Sequence, residues 1–317
     1  MGERSPALGR VSAQPAKPAL VILAAGRARR YGGCKPLAPV GPRGEAVIDL
    51  VASDALAAGF GSIVLVLGPA TGPAIRYHVT RTWPSDVDVR FALQAAPLGT
   101  VDAVLSASDH VGGAPYGVGN ADDIYGRPAA GLLAAHLTGS DPTNALVGFR
   151  LADAVVGHAP VTRGVCQVGP DGQLLEVDER RQVTAQADGG FVVGDGKEPS
   201  TLPPDARVSM NLWGFTPAFH LALRAAMDAA TEASEEAEVL LPEVVARSLA
   251  SHPFTVLPAT GRCIGVTHPD DLALVQAELA RQVGQGVRPA ALWAPPAPDT
   301  APAPDTTPPV GGASGPD

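Results

Sequence analysis

The sequence predicts an α/β fold built on a mostly parallel, Rossmann-like mixed sheet flanked by helices, and three features predict it. Apolar runs and helix-periodic stretches alternate through the first half of the 317 residues. Two of the runs, Pro18-Ala-Leu-Val-Ile-Leu and Ile63-Val-Leu-Val-Leu, are nearly continuous, as strands buried on both faces are. A glycine-bearing loop leaves the first run at Gly26, and ligands of such sheets bind beyond the carboxyl ends of the strands.

The elements follow in order. The first strand ends at the loop, and a helix is predicted over roughly 45–58, with Val47, Leu50, Val51 and Ala55 on one face and Gly59 as its stop. Ile63–Leu67 is the second strand and Val87–Leu93 the third. Thr100–Ala107 opens a helix, and Tyr116–Ala121 is a strand running into Asp122-Asp123. Beyond residue 150 the pattern changes. Val161–Val168 and Leu174–Val177 flank Gly-Pro-Asp-Gly, which predicts a β-hairpin. Residues 187–206 are polar and glycine-rich, Val208–Phe215 returns to strand, and helices are expected over roughly 217–231, 238–251 and 270–284. The expected organisation is a loose tail over 1–17 and one domain over 18–288. Its two halves span 18–150 and 151–288, followed by a disordered Pro/Ala-rich tail over 289–317.

Composition narrows the function. A formal charge of −9 leaves no broad basic surface for nucleic acid. No run reaches the roughly 18 apolar residues of a membrane span, and the N-terminal apolar stretch leads straight into the loop, unlike a secretory signal. The three cysteines, Cys34, Cys166 and Cys263, show no CxxC spacing, which favours reduced thiols and a cytoplasmic location.

The loop itself, LAAGRARRYGGCKPL from Leu23 to Leu37, gathers Arg27, Arg29, Arg30 and Lys35 around a glycine bend. Glycine lets backbone N–H groups approach phosphate oxygens while the cations offset their charge. Only Lys17, Lys35 and Lys197 are lysine among 23 basic residues. Lys35 therefore reads as a chosen compact cation, fitting where a planar guanidinium would not. The loop lacks the GK[ST] of a P-loop, and Ala28 breaks a dinucleotide GxG.

This segment resembles the LAAGxGxRxGxxKPL signature of nucleotidylyltransferases with the glycosyltransferase-A-like fold, and later motifs keep the family's order over roughly 18–284. The resemblance implies that Leu23, Ala24, Ala25 and Gly26 bind the nucleotide, with Arg30 and Lys35 at the triphosphate as the catalytic cations. It implies that Gln94 reads the base edge, with Gly99 and Thr100 beside it. It gives Asp122 to a Mg²⁺ ion, with Asp123 at its side or at the acceptor. Gly164, Glu179 and Arg180 would hold the acceptor, although a solvated ion pair also explains Glu179-Arg180. Departures are Ala28 for a glycine and Gly265 where the family places a second metal-binding Asp; Asp270 or His268 are candidate substitutes. The activity implied is transfer of NMP from an NTP, UTP or dTTP foremost, to a sugar 1-phosphate with release of pyrophosphate. The alternatives are the same chemistry on a cyclitol, alditol or phosphonate with CTP or GTP, and a nucleotide-binding homologue without catalysis. The partners expected are the NTP and a phosphorylated small molecule, with neither nucleic acid nor membrane.

Overall fold

The computed structural model describes residues 16–26, 33–157, 159–234, 236–266 and 271–293. It is a mixed sheet with helices on both faces, so the predicted class holds. The first half supplies β1 (Ala19–Ala24), α1 (Val47–Ala57), β2 (Ser62–Leu67), α2 (Gly72–Thr82), β3 (Val89–Leu93), α3 (Gly99–Leu105), α4 (Ser108–Val111) and β4 (Tyr116–Asn120). Then come β5 (Asp123–Ile124), α5 (Arg127–Leu137) and β6 (Asn144–Arg150). The second half supplies β7 (Val161–Val168), β8 (Leu174–Ala185), β9 (Phe191–Val193), β10 (Thr201–Leu202), β11 (Arg207–Phe215), α6 (Pro217–Ala233), α7 (Leu241–Ser248), β12 (Phe254–Pro258), β13 (Ile264–Gly265) and α8 (Asp271–Gly284).

The strand order is β10-β9-β8-β7-β11-β4-β1-β2-β3, with β6 also on β11 and β12 on β6. The β4-β1-β2-β3 block is parallel, as its continuous apolar runs require: β2 is buried at every position. The β7–β8 hairpin and β9–β10 pair antiparallel and form the lobe. One strand, β11, joins the two regions. Its residues Val208 and Ser209 pair with Val165 and Gly164 of β7, and Trp213–Phe215 pair with Val118–Tyr116 of β4. The pairing with β6 shifts register between Ser209 and Trp213, which marks a bulge at the changeover.

The described chain does not leave the domain at 288. Arg288 is buried, with Nη1 2.7 Å from Asp54 Oδ2, and Arg127 Nε lies 3.4 Å from Asp54 Oδ1. Asp54 Oδ2 and Arg288 Nη1 have no aligned hydrogen-bond partner, so their link is a charge contact. Trp293 then packs on Trp83 at 5.2 Å between ring centroids. The predicted tail thus begins with a strap laid over α1 and the end of α2; residues 1–15 and 294–317 lie outside the described residues. Removing the shared carboxylate strands the buried Arg288 charge, so Asp54→Ala is expected to cost about 3 kcal/mol in urea unfolding.

Candidate active site

The site is built at the carboxyl ends of β1 and β4. Backbone contacts fix the end of β1. Ala121 N–H donates to Leu23 O at 3.2 Å, and the Thr71 hydroxyl donates to Ala24 O at 3.3 Å. Gly68 lets the chain after β2 come close, because a Cβ there would lie 2.8 Å from Ala25 O. Leu23, Ala24, Gly26, Lys35, Pro36, Ala121 and Asp122 line a cavity of about 240 Å³. Arg30, like Arg27, Ala28 and Arg29, lies outside the described residues, as do His268 and Asp270.

Lys35 opens a single 3₁₀ turn whose Pro36 is buried, so its stem is anchored while the ammonium reaches out. Lys35 Nζ donates to Asp122 Oδ2 at 3.0 Å. The turn bearing Asp122 is held from below: the Tyr125 hydroxyl accepts from Asn120 N at 2.7 Å and donates to Met210 O at 3.0 Å. The structure therefore brings together the two residues that the sequence placed on separate motifs 87 positions apart.

Asp123 lies beside them, and Asn120 Nδ2 donates to its Oδ2 at 2.9 Å. Burial and the neighbouring Asp122 charge push its carboxyl up to about 6. Gly265 pairs with Asp123 across β13–β5, and a Cβ at 265 would fall 2.5 Å from Asp123 Oδ1. A side chain at 265 would therefore displace the Asp123 carboxylate from its present position. Among the described residues no group of three or more His, Cys, Asp or Glu is arranged to hold a metal. The donors present are two adjacent carboxylates facing a common cavity. That oxygen-only set suits a hard ion such as magnesium, which takes few carboxylates and retains water.

A second cavity, of about 580 Å³, opens on the other side of the Lys35–Asp122 pair and is lined by both residues together with Asp123. Its floor is a row across three strands: Glu179 of β8 pairs with Gly164 of β7, which pairs with Ser209 of β11. Gly164 keeps this floor low, because a Cβ there would stand 3.1 Å from Val177 Cγ1 and 3.4 Å from Ser209 Cβ. Arg163, Arg181, Thr162, Asn211, Pro242 and Glu243 complete much of the wall. Arg163 is a lining residue that the motifs did not reveal. Burial lowers its basicity, and its three guanidinium nitrogens donate to Ala154 O, twice, and to Thr162 O.

Four predicted site residues are used differently. Arg180 does not face the cavity. Its guanidinium is buried in the lobe, at 2.8 and 3.1 Å from the two Asp195 oxygens and 2.9 Å from the carbonyls of Lys197 and Pro199. This pairing holds Asp195 well below the usual carboxylate range. Side chains alternate along a strand, so with Glu179 at the cavity it is Arg181 that joins it, and Arg181 Nε lies 3.0 Å from Glu179 Oε1. Gln94 lies in neither cavity; its Nε2 donates to Gly99 O at 2.9 Å and Asp102 Oδ2 at 3.0 Å, which commits both amide protons to its own loop. Gly99 takes φ +95°, and a Cβ there would strike Val239 O at 2.3 Å, so the glycine admits this backbone. The Thr100 hydroxyl accepts from Leu241 N at 2.8 Å, tying down the start of α7.

Residues 20–147 match the family model of the MobA-like NTP transferase domain, so the nucleotidyltransferase resemblance read from the loop holds. Among solved structures, the inositol-1-phosphate CTP transferase of T. maritima superposes with a TM-score of 0.59 at 13% identity, over 87% of this chain and 99% of that one. HddC from Yersinia pseudotuberculosis complexed with GMP-PN gives 0.57 at 16% identity, over 82% of this chain and 99% of that one. At these identities the likeness is one of fold. No curated relative matches by sequence.

The Asp123 geometry carries a pH signature. A carboxyl raised in the folded state binds its proton more tightly there than in the unfolded chain. Stability in cation-free buffer is therefore expected to fall as pH rises from 3.8 through about 6. Asp123→Asn should flatten that decline, as read from urea midpoints across the window.

Proposed function

Starting from an NTP transferase domain of the MobA-like type, we propose that the chain transfers a nucleotidyl group from an NTP to the phosphate of a small hydroxylated acceptor, releasing pyrophosphate. The observation that carries this reading is the Lys35–Asp122 pair, which belongs to the walls of both cavities. The smaller cavity lies at the strand end and glycine bend, where a triphosphate fits. The larger one holds the row of Glu179, Gly164 and Ser209, with Arg181 at its wall for an acceptor phosphate.

Little covalent work falls to the protein. An acceptor phosphate oxygen attacks the α-phosphorus in line as the pyrophosphate oxygen leaves, so rate comes from positioning and charge neutralisation. Lys35, at the partition, is placed to stabilise charge that develops on the α-phosphate. Asp122, with Asp123 beside it, would hold Mg²⁺; bound there, the ion supplies neutralisation of the phosphate and pyrophosphate oxygens. The inositol-1-phosphate CTP transferase and the GMP-PN-bound HddC among the structural neighbours put CTP and GTP beside UTP and dTTP as candidate donors. They likewise put a cyclitol phosphate beside a sugar 1-phosphate as acceptor.

A pyrophosphate-release screen of these four NTPs against sugar 1-phosphates and inositol 1-phosphate tests the reading, and NTP binding without release on any acceptor would overturn it. With the best pair, Lys35→Ala is expected to lower kcat by about 10²–10³ through loss of one preorganised donor, while near-normal turnover would remove Lys35 from the chemistry. Arg181→Ala should raise the acceptor KM about tenfold and spare the NTP KM. Arg180→Met should instead lower the melting temperature, because it strands the buried Asp195.

A further inference from the structure

The β4–β11 ladder stops short of the site. Its last pair on that side is Trp213 with Val118, and a regular antiparallel continuation would set Asn211 against Asn120. Instead β11 bulges between Ser209 and Trp213, and a side chain closes the gap. The Tyr125 hydroxyl accepts from Asn120 N at 2.7 Å and donates to Met210 O at 3.0 Å. One oxygen thus stands in for the ladder, answering a backbone donor on β4 and a backbone acceptor on β11.

The surroundings are built for that hydroxyl. Tyr125 is buried, and its ring lies against Phe149 at 6.3 Å between centroids. Gly119 of β4 leaves room for it, because a Cβ there would stand 3.0 Å from Tyr125 Cε2. Burial and the nearby Asp123 charge raise the phenol well above its ordinary range, so it keeps the proton that Met210 O receives. Tyr125 lines neither cavity, yet both ends of its bridge do useful work there. Asn120 leads into the turn of Asp122, and its side chain donates to Asp123 Oδ2 at 2.9 Å. Met210 follows Ser209 in β11, and Asn120 and Met210 both line the larger cavity.

We propose that Tyr125 is a positioning residue for nucleotidyl transfer. Its hydroxyl fixes the separation between the turn carrying Asp122 and the β11 wall of the larger cavity, and so the line along which the acceptor phosphate meets the α-phosphorus. It acts through Asn120 and Met210. This rests on the proposed transfer reaction, and its test is separable from it. Three variants are compared with wild type on the best NTP and acceptor from the release screen, well below their melting temperatures. Tyr125→Phe removes the hydroxyl alone. Gly119→Ala keeps the hydroxyl and presses on the ring. Tyr116→Phe makes the same deletion at the other end of β4, where the hydroxyl lies 2.7 Å from His220 Nδ1 and lines neither cavity.

Tyr125→Phe is expected to lower kcat about ten- to a hundredfold, as a slight misplacement of reacting groups does, with both KM values held within about twofold. Gly119→Ala should lose kcat in the same way, and the double variant should be no slower than Tyr125→Phe, since both act on one bridge. Tyr116→Phe should lower the melting temperature and keep kcat. Wild-type kcat in folded Tyr125→Phe would overturn the proposal while leaving the transfer reaction standing, as would an equal kcat loss in Tyr116→Phe. A raised acceptor KM at unchanged kcat would also overturn it and make Tyr125 a support of the binding wall. Should Tyr125→Phe not fold, Gly119→Ala decides alone, with lowered kcat at unchanged KM supporting the bridge and wild-type kcat removing it. Absence of turnover by wild type on all acceptors removes the transfer reading, and this proposal with it.

Discussion

The ion pair between Lys35 and Asp122 is the constraint on which the site depends. It joins the loop after β1 to the turn after β4 at 3.0 Å, and the two cavities meet at it. An unpaired ammonium at the carboxyl ends of these strands would be free to swing through solvent. Placed against a carboxylate it is held in position before any ligand arrives, at the modest energetic value of a partly solvated pair. Phosphate oxygens and a divalent ion can then share out the two partners, the anion taking the lysine and the cation the aspartate. In the proposed reaction, preorganisation of this kind, rather than strength of the pair, positions charge for in-line transfer.

Around that pair the chain spends its glycines where backbone or carboxylate must come close. Gly68 admits Ala25, Gly99 admits Val239, and Gly265 admits the Asp123 carboxylate. The last is the most telling. A side chain at 265 and the present position of the Asp123 carboxylate exclude one another, so the departure from the family pattern at 265 and the paired Asp122-Asp123 read as one arrangement. Negative charge is gathered on the turn before β5 and on its first residue rather than divided between β5 and β13.

Much of this was legible in the sequence, for physical reasons that also explain what was not. β1, β2 and α1 follow from continuous apolar runs and a one-sided helix, signals that burial on both sheet faces makes strong. The first-half elements α2, α5 and β6 carried weaker signals: α2 is largely exposed and polar, and β6 has a glycine within a short run. The loop lysine, singled out by the rarity of lysine, and the strand-end aspartate stand 3.0 Å apart in the structure. Arg180 shows where motif matching overreached. Strand alternation already implies that a cavity-facing Glu179 turns its neighbour away, and that periodicity would have chosen Arg181. Gln94, Gly99 and Thr100 show the converse. Their residue types suit a ligand, yet Gln94 bonds to Gly99 and Asp102 nearby, and a long-range contact with 239–241, invisible to local pattern, engages Gly99 and Thr100.

Strand β11 links the strands beneath the two cavities. Its first residues pair with β7, and through it with β8, beneath the larger cavity, while its last residues pair with β4, whose end carries Asp122. Hydrogen-bonded ladders join the floor of the larger cavity to the β1–β4 core along β11 and also across β6, which pairs with β11 on both sides of the bulge. A regular strand would carry β7 and β4 on with the ordinary sheet twist, and the bulge adds a local bend between them. The bulge thus lies between the strand that pairs with the floor of the larger cavity and the strand whose end leads to Asp122.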